Sequence, residues 1–355
     1  MSRRLSGLFI NSVEANDSIY ESGLMAYRCL VGSERYSLDY KTISSEDRTI
    51  DTSYDFYFFN YHISTMAWLD PRSIKSMLPG VKMTMVLEVS PNDPFEYCSP
   101  DDFDIYCALD PTLESDRPNV FAFPRPLEPF KAESEYVESE IPVIGSFGFA
   151  TSGKGFDHLI DAVNKEFDRA VVRLNIPHST YMDGSGEYAQ RLAAMCIERA
   201  KEGIDVIVTH NYMSKSDLIK WCSQNTINCF LYDRDMPGLA ATTDQAIASG
   251  RPLLVSRNDT FRHILKFIEP YPEQNLREAI KNTEPEVAEM IEAWSPTMFR
   301  ERFEHVLDCT KFEKAPAIGA VTLLRKETSF LQRLRDKAAV RTRLKKLAAL
   351  VGRSN

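Results

Sequence analysis

Apolar and polar positions alternate along the chain in short blocks, and the blocks switch between strand-like and helix-like patterns. Continuous apolar runs, typical of strands buried on both faces, occupy residues 8–10, 54–59, 81–89, 105–109 and 120–123. Between them, Ser18 and Glu21 form a capping-box pattern that predicts a helix through Leu30, and Pro71 opens a shorter helix. Strands that alternate with helices predict a parallel, doubly wound sheet.

The same alternation restarts after a proline-rich and then charged segment, residues 124–140, which has the composition of an interdomain linker. Beyond it, strands are predicted near residues 143–144, 171–176, 204–208, 228–232 and 253–255. The pattern therefore predicts two open α/β sheets with a ligand site in the cleft between them. The predicted units are residues 1–138, 139–315 and a C-terminal helix over 316–355.

The segment 141–163 reads as strand, glycine-rich loop and helix, with the loop predicted from Gly145 to Gly155. This arrangement points backbone N–H groups and a helix N-terminus at one spot, which favours an anion, and Lys154 adds a positive charge there. A phosphate site is one interpretation, and a tight strand-to-helix turn is the other. The spacing matches neither a Walker A loop nor a dinucleotide fingerprint.

The composition of the chain argues against several classes of protein. The formal net charge of −9 argues against general nucleic-acid binding. The seven cysteines lie mostly in apolar segments without a Cys-x-x-Cys pair, which is typical of a reduced, cytoplasmic protein and predicts no zinc site. The apolar run after the charged start is too short for a signal peptide, and no run is long enough to span a bilayer.

Two segments of the second half carry a resemblance to a known family. The first joins Gly145-Ser-Phe-Gly-Phe to Lys154-Gly-Phe-Asp-His-Leu-Ile, and the second is Gly238-Leu-Ala-Ala-Thr-Thr-Asp-Gln245-Ala-Ile-Ala-Ser-Gly-Arg-Pro252. They resemble the nucleotide-sugar domain of GT-B glycosyltransferases, in particular the retaining group called family 4. Both of the family's glutamates are absent, because Pro237 and Gln245 stand at their positions.

The resemblance implies an α/β GT-B fold, with two Rossmann-like domains facing a central cleft. It also implies transfer of a sugar from a nucleotide-sugar donor to a hydroxyl of a glycan or lipid-linked acceptor, in bacterial surface polysaccharide or glycoconjugate synthesis. The resemblance implies neither cofactor nor metal, and it favours a retaining outcome. An inverting GT-B enzyme and a non-catalytic nucleotide-sugar-binding protein are the alternatives, since the glutamates are missing.

The resemblance and the strand ends together give a set of candidate site residues. Glu88, His62 and Asp235 are the catalytic candidates; the donor-binding ones are Gly145, Ser146, Phe147, Lys154, Asn211, Tyr212, Gly238, Leu239, Ala240 and Gln245; Asn11 and Glu21 lie on the acceptor side. Some of these residues have simpler interpretations, with Glu88 as an ion-pair partner, His62 as a polar strand end and Glu21 as a helix cap. Arg125 in the linker is interpreted as a surface charge, with a phosphate contact as the alternative.

The tail from Arg325 to Asn355 is strongly basic and carries an apolar stripe at helical spacing. This pattern predicts a cationic amphipathic helix suited to an anionic membrane surface. A terminal helix that packs back on the first domain is the alternative. We therefore expect a cytoplasmic protein, with a peripheral position at the inner face of the membrane if the first interpretation holds.

Overall fold

The computed structural model of the protein describes residues 3–13, 18–91, 93–95, 98–131, 136, 139–178, 183–234, 238–313 and 319–326. These residues form one sheet in each half of the chain and a small third sheet that joins two distant segments. Within the described chain, every helix is too short or too polar to cross a bilayer.

The first half contains a six-stranded parallel sheet in the order β2-β1-β4-β5-β6-β7. Its strands are β1 (Leu5–Ser12), β2 (Tyr36–Ile43), β4 (Phe56–Phe59), β5 (Val81–Val86), β6 (Ile105–Ala108) and β7 (Val120–Ala122), and its helices are α1 (Ser18–Leu30) and α2 (Pro71–Met77). The doubly wound sheet predicted from the alternation is confirmed. Strand β2 was not predicted, although its alternating apolar and polar residues carry the signal of a half-buried edge strand.

Both faces of this sheet are covered, which explains its continuous apolar runs. In β4, Phe56 and Phe58 belong to the core on one face, whereas Tyr57 and Phe59 belong to the core on the other. Side chains alternate between the two faces of a strand, so all four aromatic residues are fully buried. The aromatic run is therefore core strand.

The second half contains a five-stranded parallel sheet in the order β10-β9-β8-β11-β12. Its strands are β8 (Val143–Phe147), β9 (Ala170–Asn175), β10 (Ile204–Thr209), β11 (Ile227–Phe230) and β12 (Leu253–Val255); its helices are α3 (Phe156–Glu166), α4 (Glu187–Arg199), α5 (Lys215–Ser223), α6 (Thr242–Ala248), α7 (Leu276–Asn282) and α8 (Glu284–Ala293). One prediction needs correction. The glycine-rich loop does not begin at Gly145, because the hydrogen-bonded strand continues to Phe147.

The last described helix, α9 (Pro296–Asp308), crosses back to the first half. Its residues Phe299 and Phe303 lie in the core cluster of the first sheet, and the ring of Phe303 stacks on that of Phe58 with centroids 5.2 Å apart. The segment 296–308 was assigned to the second domain from the sequence. Its apolar face instead completes the core of the first.

The predicted C-terminal helix cannot begin at residue 316. Residues Ala320–Thr322 form strand β13, which pairs in antiparallel fashion with β3 (Thr49–Asp51). The β-branched residues Val321 and Thr322 suit this edge pairing, and Val321 packs on the first core. Residues 327–355, which carry most of the predicted basic helix, lie outside the described chain.

Candidate functional site

Lys154 lies at the carboxyl edge of the second sheet, just before α3. Gly155 caps that helix in a left-handed conformation with φ 64°. A Cβ atom at this position would come within 1.7 Å of the Leu231 carbonyl oxygen, so only glycine allows this turn to sit against the strand exit. The turn directs Lys154 into the protein.

Lys154 is a buried cation, with only 9 % of its surface exposed. Its ammonium donates a hydrogen bond of 2.8 Å to the Tyr232 hydroxyl and lies 4.4 Å from the centre of that ring. Burial lowers the pKa of Lys154, and within the described residues no carboxylate pairs with it. A buried ammonium without a counter-ion is costly, which indicates that an anion occupies this position when the site is filled.

A second cation lies on the same tyrosine. The guanidinium carbon of Arg234 is 5.0 Å from the Tyr232 ring centre, and its charge lowers the pKa of Lys154 further. Its Nε is buried and has no acceptor among the described residues. Sequence reasoning missed Arg234, although an arginine two residues after the predicted strand 228–232, at the carboxyl edge of the sheet, was an available signal. Two cations thus share one edge of the cleft.

Three predicted donor-binding residues lie inside β8. Ser146 and Phe147 are buried, and Phe147 packs edge-on against Trp221 and Phe230. A Cβ atom on Gly145 would meet the Asn225 side chain at 1.9 Å, so the glycine is required by close packing. These residues hold the strand in place, and their contact with a donor stays a prediction.

The Gly238 loop approaches the first domain. Gly238, at φ 84°, donates its backbone N–H to the Val89 carbonyl at 3.2 Å. Leu239 and Ala240 are buried behind it, and Gln245 is half-buried on α6. The backbone N–H of Gly238, a predicted donor-binding residue, is thus directed at the first domain in this arrangement.

Two exposed aromatic rings stand at neighbouring strand exits of the second sheet. Tyr212, 73 % exposed, follows β10, and Phe149, 45 % exposed, follows β8, with ring centroids 6.3 Å apart at 34°. Asn211 is exposed beside them, and its carbonyl accepts a hydrogen bond from Asn175. Tyr212 was predicted for the donor site, whereas Phe149 was not, although it lies within the quoted glycine-rich motif.

His62 and Glu88 are brought together at the carboxyl ends of β4 and β5. The Nδ1 atom of buried His62 accepts a hydrogen bond from the Ser64 N–H, so the neutral ring carries its proton on Nε2. This Nε2 lies 3.7 Å from a Glu88 carboxylate oxygen, and the Glu88 side chain is 44 % exposed. The pair can therefore position an accessible carboxylate in the cleft.

The other described first-domain candidates are Asn11 and Glu21. Asn11 is fully buried and accepts a hydrogen bond from Asn60, while its own amide donates to the Tyr20 carbonyl and the Tyr40 hydroxyl. That network ties β1 to α1. Glu21 is half-buried on α1 and interacts electrostatically with Lys215. Burial lowers the pKa of Lys215, and the negative charge of Glu21 opposes that shift. Asp235 lies outside the described residues.

Two ion pairs join segments around the cleft. Arg262 of the second half donates to Asp110 at 2.7 Å and to the Val89 carbonyl at 2.5 Å, and the Asp110 side chain is 1 % exposed. Arg125 of the linker donates to Asp244 of α6 at 2.9 Å. Arg125 is therefore half-buried in an ion pair rather than a surface charge, because the linker packs on the second domain. Burial raises the pKa of Asp244, and Arg125 opposes that shift.

Metal ligands do not gather in the described part of the chain, where no group of three or more His, Cys, Asp or Glu side chains is placed to hold an ion. Asp235 belongs to the segment that the structure does not describe. The expectation of metal independence therefore stays a prediction.

No protein-family model matches the sequence, and a sequence search of curated proteins returns no match. Solved structures do match the fold. Anabaena Alr3699/HepE in complex with UDP aligns with a TM-score of 0.56 and 10 % identity, over 86 % of this chain and 100 % of that chain.

Two further structures match over the same share of this chain. Trehalose-6-phosphate synthase OtsA aligns with a TM-score of 0.58 and 9 % identity, over 86 % of this chain and 100 % of that one. The lipopolysaccharide outer core galactosyltransferase WaaB aligns with a TM-score of 0.57 and 12 % identity, over 86 % and 99 %. At these identities the likeness shows the fold, and the predicted fold of two Rossmann-like GT-B domains is confirmed.

Proposed function

We propose that this protein is a GT-B glycosyltransferase that moves a sugar from a nucleotide-sugar donor to a hydroxyl acceptor. The observation that carries the proposal is the buried, uncompensated Lys154 at the carboxyl edge of the second sheet. The fold supports it, because structures with this fold include one crystallised with UDP and one named as a galactosyltransferase.

The cations suit a departing diphosphate. Lys154 and Arg234 flank the Tyr232 ring at 4.4 Å and 5.0 Å, and no carboxylate among the described residues pairs with Lys154. The negative charge on the leaving group grows as the glycosidic bond to phosphate breaks. Fixed positive charges in a buried site stabilise that charge without reorganisation, which is commonly the largest catalytic contribution.

The nucleoside end of the donor has a matching surface. Phe149 and Tyr212 expose two rings at the exits of β8 and β10, on the same edge of the sheet as Lys154. Flat apolar rings at such an edge suit a nucleobase, which stacks on aromatic faces. The half-buried Gln245 offers amide donors and an acceptor for ribose hydroxyls.

Glu88 is the proposed base towards the acceptor hydroxyl, and His62 positions it. A general base must be accessible to the proton that it removes, and the Glu88 carboxylate is half-exposed in the cleft beside Gly238. A retaining outcome is proposed by resemblance, with an inverting reaction as the alternative. The proposed acceptor is a glycan or lipid-linked hydroxyl in surface polysaccharide or glycoconjugate synthesis.

A non-catalytic nucleotide-sugar-binding protein is the second candidate. One observation favours it: at the position of the family's second glutamate stands Gln245, an amide that cannot act as a base or carry charge. Donor hydrolysis without acceptor separates the candidates. A slow release of free sugar from the bound donor supports the enzyme, and binding without any turnover supports the binding protein.

The first experiment is a thermal-shift screen of the full chain against UDP-, GDP-, dTDP- and CMP-sugars, followed by titration calorimetry of the best ligand. Binding to the native state raises the melting temperature, and the stabilisation grows with the logarithm of the ligand concentration relative to its dissociation constant. We expect one nucleotide to stabilise the protein and the others to have little effect. If none binds at millimolar concentration, the proposed donor site is wrong.

The basic tail is proposed to contact an anionic membrane surface, which would bring the enzyme to a lipid-linked acceptor. Truncation after residue 326 should abolish sedimentation with vesicles rich in phosphatidylserine and leave the melting temperature unchanged. Unfolding on truncation would instead support packing of the tail on the first domain.

A further inference from the structure

A cavity of about 410 Å³ opens at the opposite edge of the first sheet from the cleft. It is lined at the amino ends of β5, β6 and β7 by Val81, Ile105 and Asn119, and the segment after α9 contributes Cys309 and Lys311 to its wall. Since β5 has six residues at about 3.3 Å each, roughly 20 Å of strand separates this cavity from Glu88. It is therefore a separate place on the molecule.

The charges of the lining cancel. Lys82 and Lys311 are matched by Asp104 and Glu313, and the Lys82 ammonium lies 3.0 Å from the Asp104 carboxylate. Lys311 forms no ion pair or hydrogen bond with the described residues. A lining without net charge does not select an anion or a cation. It does present ammonium donors and carboxylate acceptors within one small volume.

The remaining lining combines an amide with apolar surface. The Asn119 amide donates to the Asp104 carbonyl at 3.1 Å, which leaves its side-chain oxygen to accept from a ligand. Phe121 packs on the core of the first sheet and lines the cavity together with Pro79 and Pro118. Interspersed donors and acceptors beside a ring and prolines suit a ligand whose hydroxyls both donate and accept.

We propose that this cavity is a second binding site for an uncharged, polyhydroxylated ligand, a saccharide of one or two sugar units. Its volume falls within the range of about 300–1,000 Å³ that small-molecule sites occupy. The site is independent of the cleft, so it does not rest on the proposed glycosyl transfer. Asn119 and Lys311 fix the ligand's orientation through hydrogen bonds, and the apolar wall covers one face of the sugar ring.

Cys309 provides a reporter inside the site. It is the exposed thiol among the seven, and its sulfur lies 3.7 Å from His305 Nε2. Burial raises the pKa of the thiols of Cys98 and Cys196 to about 12, so these react slowly near neutral pH. The extent of Cys309 alkylation, measured by peptide mass analysis, therefore shows whether a ligand occupies this cavity.

The experiment measures the rate at which iodoacetamide alkylates Cys309 in the full chain, with glucose, N-acetylglucosamine, maltose or trehalose added. We expect at least one sugar to slow the reaction several-fold in a saturable way. Glycerol at matched viscosity should have no effect. Saturation-transfer NMR with the same sugar gives a second readout that does not depend on the cysteine.

Substitutions in the cavity and in the cleft show where the sugar that protects Cys309 binds. Asn119→Ala and Lys311→Met should each abolish protection, and Lys311 is exposed, so its replacement does not threaten folding. Lys154→Met, in the cleft, should leave protection unchanged. The proposal is overturned if no sugar protects, if sodium glutamate or phosphate protects instead, or if protection survives both cavity variants or disappears with Lys154→Met.

Discussion

The ammonium of Lys154 lies 2.8 Å from the hydroxyl of Tyr232, and this phenol is its hydrogen-bond acceptor among the described residues. A neutral hydroxyl satisfies one of the three ammonium hydrogens and none of the charge. The relationship explains why the lysine can be buried and still remain available to an anion. The first consequence of this contact is for binding of the nucleotide-sugar donor.

We expect Lys154→Met to weaken binding of the matching nucleotide about 10- to 100-fold, because a hydrogen bond to a charged group contributes about 1.5–3 kcal/mol. The folded protein should be as stable as before or more so, since an uncompensated buried charge is removed. Titration calorimetry and chemical denaturation measure the two effects. Lys165→Met, on the exposed side of the same helix, is the matched control. Unchanged affinity in a folded Lys154→Met protein would remove the phosphate role.

Glu88→Gln should lower the turnover number by about 100- to 10,000-fold and leave the donor dissociation constant unchanged, because the amide cannot accept the acceptor's proton. His62→Gln should have a smaller effect, since it alters only the position of the carboxylate 3.7 Å away. Steady-state kinetics together with donor titration separates these effects. Equal activity of Glu88→Gln and the parent protein would rule out the base.

The Asp110–Arg262 pair should hold the two domains together. Arg262→Met leaves the Asp110 carboxylate buried without its partner, so we expect a loss of about 3–5 kcal/mol in the free energy of unfolding. Small-angle scattering should show a more open molecule. Arg199→Met breaks an exposed pair with Asp161 and should cost about 1 kcal/mol or less. Similar costs for the two variants would show that the cross-domain pair contributes little.

His263 should make the protein sensitive to acid. Burial lowers its pKa well below 6.5, and the charges of Arg125 and Arg262 lower it further. Below pH 6.5, His263 therefore binds a proton in the unfolded chain, whereas it stays neutral in the folded chain. Stability from the neutral ring is complete above that pH and falls as the pH drops towards the folded pKa, by up to about 1.4 kcal/mol per pH unit.

The measurement is urea denaturation at pH 7.5, 6.5 and 5.5. We expect His263→Phe, which keeps an aromatic ring beside Trp294, to flatten the decline below pH 6.5. His158→Gln, which removes an exposed histidine, is the matched control. A parallel decline in the His263→Phe variant and the parent would assign the acid sensitivity to other groups.

Turnover should not require a divalent metal. Fixed cations beside the leaving group can replace an ion, and the described residues hold no cluster of hard-oxygen ligands. Activity with the matching donor and acceptor should persist in excess EDTA. Loss of activity with chelator and recovery with manganese would place a metal site at Asp233 and Asp235, and the proposed mechanism would need revision.

The sequence by itself determined the two α/β halves, because buried parallel strands produce continuous apolar runs and caps and prolines mark the helices. It also indicated that Lys154 lies in a turn just before a helix, since the glycines around it restrict the backbone locally. It did not assign α9 to the first domain, because an amphipathic pattern shows that a helix has an apolar face and not which core that face joins.

Only the tertiary structure decided which polar residues meet. Arg234 reaches Lys154 through a shared tyrosine, Arg262 reaches Asp110 across the cleft, and Phe149 reaches Tyr212 from another strand exit. These partners are separated by between 63 and 152 positions in the chain, and no local pattern records a contact between distant segments. The physical reason is that the strand order in each sheet and the docking of the domains determine which distant residues come into contact. The spacing of residues along the chain determines only where helices and strands form.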